Sequence, residues 1–527
     1  KFLSNYLDKG KIRMVEKQYF IGIDNGTQST KTLVIDGENG QVLGKASKSY
    51  GLIEGLPPGH KEQDPKVWIE ALHYTIREAL RKSKINPKYV RAIGVSGQQH
   101  GFVPLDAEGN VIRPVKLWND TSTIEECEIL TRRMGGKKAV IDALGLTIPP
   151  GFTAPKILWL KRHEPENYSK LATVLLPHDY LNFYLTGNKV MEYGDASGTA
   201  LMNVRTRSWC DKILEIIDPN LKEKLPPLQP SDKPAGKIRK TIAEEFGFRE
   251  DVLVSAGGGD NMMGAIGTGN TRNGIVTASF GTSGTIYAYS DVPIIDPEGE
   301  IAAFCDSTNA WLPLLCTMNV TVATEFVRNL FRMSHEELTE AVLKAPPGSD
   351  GLILLPYFEG ERTPNVPDGT GVFFGLNSKT FNVAHLARAA MEGVTLGMNY
   401  GLNRMKELGI KPSQIRLTGG GSKNRAWRQI AADIFGVDVV CLKIDEGAAY
   451  GAALQAMWTY RRYNGEKISI QEITDQFVEI DEETLVSPKP SNVSIYKELQ
   501  KIQNEVSLSL RRTFSKHRAY LNRFVSK

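Results

Sequence analysis

The feature that most limits what this chain can fold into is a strand, polar turn, strand unit that occurs twice. In residues 21–36, IGIDNGTQSTKTLVID, the apolar runs Ile21-Gly22-Ile23 and Thr32-Leu33-Val34-Ile35 flank an almost wholly polar stretch from Asp24 to Lys31. Residues 274–290, GIVTASFGTSGTIYAYS, repeat the plan, with a strand at Ile275–Phe280, a turn at Gly281-Thr282-Ser283-Gly284 and a strand at 285–289. The copies lie roughly 255 residues apart, near half the chain. This spacing predicts two related domains facing each other. The competing reading is that hairpins are common and any two resemble each other.

Strand and helix patterns alternate throughout, which predicts an α/β fold. Strands are expected at 18–23, 31–36, 41–49 and 90–95, with a turn at 37–40. An amphipathic helix is expected over 66–82, where Val67, Ile69, Ala71, Leu72, Ile76, Ala79 and Leu80 form one apolar stripe. A chain of 527 residues calls for two or more domains. The expected division is an N-terminal domain over 14–267, a C-terminal domain over 268–490 and a basic helical tail over 491–527. The boundary is placed near Gly267-Thr268-Gly269-Asn270, and the proline-rich stretch Pro226–Pro234 is an ordered connection. Val506, Leu508 and Leu510 stand among charges in the tail, the pattern of a solvated helix packed by one face.

The net charge of +4, from 64 basic and 60 acidic residues, gives no electrostatic footprint for nucleic acid or a membrane surface. Five cysteines without a C-x-x-C pair or a zinc spacing suggest free thiols in a reducing, cytoplasmic setting. No apolar run approaches the roughly 20 residues a membrane helix needs. The first 13 residues lack the apolar centre of a secretory signal, and Met14 is a candidate natural start.

Turns rich in glycine and hydroxyls present backbone N–H groups and neutral donors to anions. Asp24 to Ser29 and Gly281 to Gly284 both fit, and two such turns in two halves can clamp a polyphosphate. There is no G-x-x-x-x-G-K-[ST], so this is not a P-loop. Asp24 stands at the end of a buried strand. It reads either as an Asx-turn acceptor or as a Mg²⁺ partner acting through water. Residues 417–436, LTGGGSKNRAWRQIAADIFG, give a strand, a glycine turn and a helix over 424–435, a layout that brings backbone against a nucleotide. In VSAGGGDNMMGAIG (254–267), Asp260 opens a helix. It is either a simple N-cap or a general base aimed into an interdomain cleft.

Asp24-x-Gly26-Thr27, Gly257-Gly258-Gly259-Asp260-Asn261, Gly281-Thr282-Ser283 and Gly419-Gly420-Gly421-Ser422, together and in this order, resemble the FGGY carbohydrate kinases of the actin-like ATPase superfamily. So do GVSGQQHGFVPLD (94–106), LWND (117–120), PGFTAPKILWLKRHEPE (150–166), LLPHDYLNFYLTG (175–187), DASGT (195–199), LPYFEGERTP (355–364) and GVFFGL (371–376). These longer stretches look most like the members that act on xylulose. The likeness spans roughly residues 18 to 480.

The resemblance implies two ribonuclease-H-like domains around a cleft, with sugar against the first and ATP against the second. It implies phosphoryl transfer from MgATP to a sugar hydroxyl, for xylulose the one on C5. Carried over by position, Asp260 is the base. Gln99, His100, Trp118, Asp260 and Asn261 are the sugar contacts. Thr27, Gln28, Ser29, Gly281 and Thr282 meet the phosphates, Gly420, Gly421 and Asn424 hold the adenosine, and Asp24 holds Mg²⁺ through water. Glu361-Arg362 is read as an internal ion pair holding a loop near the cleft. The chain departs from the usual pattern at Asn25, Gln99 and Ser122, where Leu, Met and Arg are common. Ribulose, glycerol and gluconate are alternative substrates. An actin- or chaperone-like ATPase is the alternative class, and a homodimer is left open.

Overall fold

The computed structural model describes residues 17–525. The candidate start at Met14 and the preceding residues lie outside them. Two seven-stranded mixed sheets form the framework. In the first, Val42–Ser49, Ser29–Asp36 and Tyr19–Asn25 run antiparallel, and Val90–Gly97 and then Leu253–Val254 continue the sheet parallel to Tyr19–Asn25. In the second, Trp311–Thr317, Gly284–Ala288 and Ile275–Phe280 run antiparallel, and Gln414–Thr418 and Asp438–Leu442 continue it in parallel. The strand order and directions are the same in both sheets. The repeated hairpin is therefore part of a repeated five-strand core, more than two chance hairpins would give.

The predicted elements form close to their expected places. The helix Lys66–Ser83 buries Trp68, Ala71, Leu72, Thr75, Ile76, Ala79 and Leu80 on one stripe and stops at Lys84, which takes a left-handed conformation. The first strand runs further than its apolar residues suggest, through Asp24 and Asn25. Asp24 and Asn25 pair with Lys31 and Thr30 on one side and with Ser96 and Gly97 on the other. Buried polar residues can stay in a sheet when their side chains are bonded. Here Asn25 Nδ2 donates to Tyr50 Oη at 2.9 Å and to Thr30 Oγ1 at 3.2 Å.

Two helices meet between the two sheets. The helix Gly447–Tyr463 follows the second sheet in sequence but lies on the first. A methyl group on Gly22 would collide with Ala449 O, and one on Gly94 with Ala452 O. The helix Asp260–Gly267 ends the first half, yet its Gly264 faces Tyr287 of the second sheet. Met262 and Ala265 share a core with Tyr287, Leu312 and Leu314, while Met263 and Ile266 share one with Phe20, Leu33 and Ala453. The two helices touch backbone to backbone, so that a methyl group on Gly451 would strike Met263 O and one on Gly267 would strike Gly447 O.

The segment after this crossing is fixed to the second sheet. Thr268 and Asn270 are buried. Thr268 Oγ1 meets Thr277 Oγ1 at 2.7 Å, Asn270 Nδ2 donates to Tyr287 O at 2.9 Å, and Arg416 donates to Thr268 O.

The tail is one helix, Pro490–Phe524. Its buried face is more polar than the expected Val506–Leu508–Leu510 stripe. Leu508 is 64% exposed, whereas Tyr496, Leu499, Gln500, Gln503, Ser507 and Phe514 are buried. Polar residues serve here because they meet buried partners. Gln503 Nε2 donates to Leu354 O and Gly393 O, and Tyr496 Oη donates to Glu392 Oε1 at 2.6 Å beside Arg388.

The crossing gives a paired prediction. A methyl at Gly447 meets only Thr268 Cγ2, at 3.8 Å. Gly451→Ala should therefore destabilise the protein by about 1–3 kcal/mol through overpacking. Gly447→Ala should leave stability unchanged or raise it by up to ~1 kcal/mol, because alanine is the better helix former. Thermal and urea unfolding of the two variants check this ordering.

Candidate active site

The first hairpin turn is narrow and held from several sides. Gly26 N donates to Ser29 O at 3.0 Å, closing a link of three residues. Tyr50 Oη donates to Gly26 O at 2.7 Å, Gln63 Nε2 to Thr27 O at 2.7 Å, and Tyr50 N to Gln28 O at 3.0 Å. Thr27 Oγ1 donates to Gln98 Oε1 at 3.1 Å and accepts from Trp118 Nε1 at 2.9 Å. Ser29 opens the second strand.

Asp24 is the partly exposed residue between buried Ile23 and Asn25. Its carboxylate accepts from Ser96 Oγ at 2.9 Å. It therefore forms no Asx turn. Burial pushes its pKa up, against the opposing pull of Ser96 and Lys31. Lys31 is itself paired with Glu446 at 3.0 Å, so it does not neutralise Asp24 alone.

In the second half, Gly281 O accepts from Thr321 N and Thr282 O from Val320 N, both at 2.9 Å. The carbonyls of this turn point into the protein fabric, and its Thr282 side is exposed. The third glycine cluster abuts this turn. Gly419, with φ 81°, lies so close to the Phe280–Gly281 backbone that any side chain would collide. Gly420 faces open space, whereas Gly421 is walled in by Phe280 and Trp427. Asn424 caps the following helix, with Oδ1 accepting from Ala426 N and Trp427 N at 3.0 Å and Nδ2 donating to Thr339 Oγ1. Both ends of that side chain are engaged by the protein.

The structure brings Gln99, Asp260 and Asn261 together. Asn261 Nδ2 donates to Gln99 Oε1 at 2.9 Å and to Asp260 Oδ1 at 3.0 Å. Asp260 is the first helical residue and Gly259 occupies the cap position, so the simple N-cap reading does not hold. Burial, with the charges of Asp24 and Asp195 behind it, pushes the Asp260 carboxyl up to about 7.

His100 takes a left-handed backbone, φ 65°, and stacks on Phe152 at 4.2 Å. Its Nδ1 lies 2.7 Å from Gly198 O, so Nδ1 carries the proton and Nε2 is left as an acceptor. Burial and the nearby Lys156 ammonium push its pKa down to about 3, which keeps the ring neutral.

Several residues that build the site were not singled out in the sequence. Lys156, fully buried, donates to His100 O at 2.7 Å and to Gly151 O at 2.6 Å. Burial holds the Lys156 pKa well below the ordinary lysine value; Gly151 in turn packs on the Trp118 carbonyl, so this one amino group ties the His100 turn to the Trp118 loop. Behind Gln99, His178 bridges Asp195 at 2.7 Å and Asp179 at 2.9 Å, and all three are buried. Burial opposes the charge on this imidazole, but the two carboxylates prevail and hold its pKa well above the ordinary value. Lys156, His178 and Asp195 stood inside the quoted stretches, but no local pattern marks a buried charge whose partners lie elsewhere in the chain.

The expected Glu361–Arg362 ion pair is absent. Glu361 is buried and accepts from Met318 N at 2.7 Å, Arg362 N at 2.8 Å and Asn319 Nδ2 at 3.3 Å. Glu361 is turned inward to those donors, and the Arg362 guanidinium lies instead over the Trp118 ring, 5.9 Å from its centre. Ser122, at the other departure, accepts from buried Lys116 at 2.8 Å and donates to Asp120 at 2.5 Å. The grouping of metal-ligand types His60, Glu62 and Asp120 surrounds the same ammonium, at 3.1 to 3.2 Å, so a cation already occupies it. Asp24, by contrast, is a carboxylate at the cleft that no ammonium neutralises alone, and it suits a hydrated divalent cation.

The model of the FGGY family of carbohydrate kinases, N-terminal domain, matches residues 19–267, and that of the C-terminal domain matches residues 276–460. The chain is 43% identical to a xylulose kinase of Haemophilus influenzae, over 91% of this chain and 97% of that protein. Among solved structures, it resembles a xyloylose kinase from Brucella ovis with TM-score 0.86 and 30% identity, covering 94% of this chain and all of that one. A gluconate kinase from Lactobacillus acidophilus gives TM-score 0.88 and 27% identity, covering 95% of this chain and all of that one. Among the described residues, no helix is long and apolar enough to cross a membrane.

The raised Asp260 pKa has two consequences for pH. A base must be ionised to accept a proton, so kcat/KM for the sugar should rise with pH and level off above about 7. Between the ordinary carboxyl value of 3.8 and about 7 the folded protein holds a proton there that the unfolded chain has lost. The contribution of this group to stability therefore falls as pH rises through that window. Asp260→Asn should remove that part of the slope, as read from urea unfolding at a series of pH values.

Proposed function

The chain belongs to the FGGY family of carbohydrate kinases, and we propose that it transfers the terminal phosphoryl group of ATP to the C5 hydroxyl of D-xylulose. The observation that carries this reading is Asp260. It is a single carboxyl on the first turn of the crossing helix, held by Asn261, beside Gln99, and desolvated until it titrates near 7.

In this reading the sugar hydroxyl donates to Asp260, and the acid takes the proton as the new O–P bond forms. The bond between the transferred phosphorus and the bridging oxygen breaks, with its electrons leaving on ADP. Asn261 and Gln99 fix the carboxylate and offer polar contacts to neighbouring hydroxyls. His100, neutral and with Nε2 free, accepts a hydrogen bond from a sugar hydroxyl. Trp118 donates its N–H to Thr27 and so serves the sugar through its ring face.

The turns at Thr27–Ser29 and Gly281–Thr282 offer N–H and hydroxyl donors to the phosphates. Gly420 gives the adenosine room, and Gly421 and Asn424 shape the same wall from within. Asp24 would hold Mg²⁺ through water, and the ion would offset phosphate charge. The protein positions and neutralises, with no covalent intermediate of its own.

We place the enzyme in the cytoplasm, where its five free thiols stay reduced. Closure of the two halves pivots at the helix crossing just before residues 267–270, because the segment from Thr268 onward is bonded into the second sheet. Gluconate is the second reading, favoured by the fold shared with a gluconate kinase over nearly the whole chain.

A coupled ADP assay over D-xylulose, D-ribulose, L-ribulose, glycerol and gluconate should show D-xylulose as the best substrate by kcat/KM. Asp260→Asn should keep nucleotide affinity and lose sugar phosphorylation by about 10²–10⁴-fold. Undiminished turnover would remove Asp260 from its role, and a better gluconate rate would favour the second reading. Small-angle scattering should show a smaller radius of gyration with sugar and nucleotide together than with either alone.

A further inference from the structure

We propose that Arg362, carried by the second half of the chain, is a further catalytic residue whose guanidinium contacts the phosphoryl oxygens during transfer; this rests on the kinase reading above. The guanidinium stands where the parts of the site meet. It lies over the Trp118 ring, and the indole N–H of that ring donates to Thr27 in the first phosphate turn. It also neighbours Cys316, whose strand Trp311–Thr317 pairs with the second phosphate hairpin through Thr285–Cys316 and Gly284–Thr317. The Cys316 thiol feels the charges of both Arg362 and Asp260, and His100 feels that of Arg362. One cation thus lies on a residue bonded to the first phosphate turn and beside a strand paired with the second hairpin.

Its charge is free for a ligand. Among the described residues Arg362 has no carboxylate within ion-pair distance, and its side chain is exposed at the cleft. The other cations near the site are engaged. Lys31 is paired with Glu446, Lys156 is spent on two carbonyls, and Lys116 is enclosed by Glu62 and Asp120.

The loop beneath Arg362 is rigid. Glu361 anchors it through Met318 and Asn319, and Asn319 Nδ2 also holds Gly360 O at 2.7 Å. Leu355, Tyr357 and Val366 share a small core with Phe514 of the tail, and Tyr357 Oη meets Ser507 Oγ at 2.9 Å. A free guanidinium on a fixed loop is prearranged to meet charge on equatorial phosphoryl oxygens, and its planar fork suits two of them at once. It comes from the nucleotide-facing half and touches the sugar-facing half, so closure would seat it on the group in transit.

The test uses the full chain as Arg362→Ala, Arg362→Lys and Asp260→Asn, each with the best substrate of the panel. Arg362→Ala should lower kcat by about 10³-fold or more, in the range of an arginine supplied to a phosphoryl transfer. KM for the sugar and calorimetric affinity for ADP should change less than about threefold, and melting temperature should hold. Arg362→Lys should recover only part of the loss, and added guanidinium should raise the rate of Arg362→Ala but not of Asp260→Asn.

A normal kcat in Arg362→Ala, a change confined to KM, or no guanidinium rescue overturns the proposal while leaving the kinase reading intact. A native chain that prefers another sugar corrects the substrate, and Arg362 is then judged on that sugar. A native chain that phosphorylates none of them overturns both.

Discussion

Everything in this molecule depends on the backbone contact between two crossed helices. The helix Asp260–Gly267 and the helix Gly447–Tyr463 approach so closely that Gly267 and Gly451 leave no space for even a methyl group. One helix comes from each half of the chain: Gly447–Tyr463 packs on the first sheet, and Asp260–Gly267 lies between the two, sharing apolar neighbours with both. The crossing therefore joins two similar sheets at one place and leaves the rest of their facing surfaces to form a cleft. Asp260 sits on the first turn of one of these helices. Packing at the far end of that helix consequently sets where the acid points, and a shift of the crossing would move acid and phosphate turns relative to each other.

Around that acid the protein concentrates negative charge and leaves it partly unpaired. Asp24 and Asp195 both act on Asp260, and Asp195 is itself offset by a buried imidazolium at His178. In the protein alone this arrangement favours the protonated acid. A cation at Asp24 would relieve it and favour the base form. Acidity and metal occupancy are then linked through a single electrostatic field, with no moving part required. The buried lysine at 156 works differently. It contributes no neutralising partner to the acids and spends its donors on two backbone carbonyls, fixing His100 in a left-handed conformation that a histidine seldom adopts unaided.

The tail shows how a peripheral element reaches the site. Its polar buried face meets the helix Val383–Glu407 and the strand Ile353–Pro356, and Phe514 closes a small core under the loop that carries Arg362. Its sequence looked like a solvated helix packed on one apolar face. Its hydrogen-bonding residues at 500, 503 and 507 instead replace an apolar stripe, because the surface they cover presents the Asn399 amide, two open carbonyls and a tyrosine hydroxyl.

Much of this was legible in the amino-acid order. Local patterns gave the two hairpins, the helix over residues 66–82 and helix starts at Asp260 and, one residue early, at Asn424, since each rests on neighbours within a few positions. The order of glycines, hydroxyls and acids along the chain pointed to the family, from which the proposed base, phosphate turns and sugar contacts are carried over. Tertiary structure alone decided the rest. It separated Glu361 from Arg362 and placed that arginine over a tryptophan more than 240 residues away. It enclosed Lys116 within acids that had the look of a metal site, turned Asn424 into a helix cap, and laid the helix Gly447–Tyr463 on the first sheet. The reason is physical: periodicity and turn chemistry act through nearest neighbours, whereas the partner of a charge and the depth at which it is buried depend on which distant backbone arrives beside it.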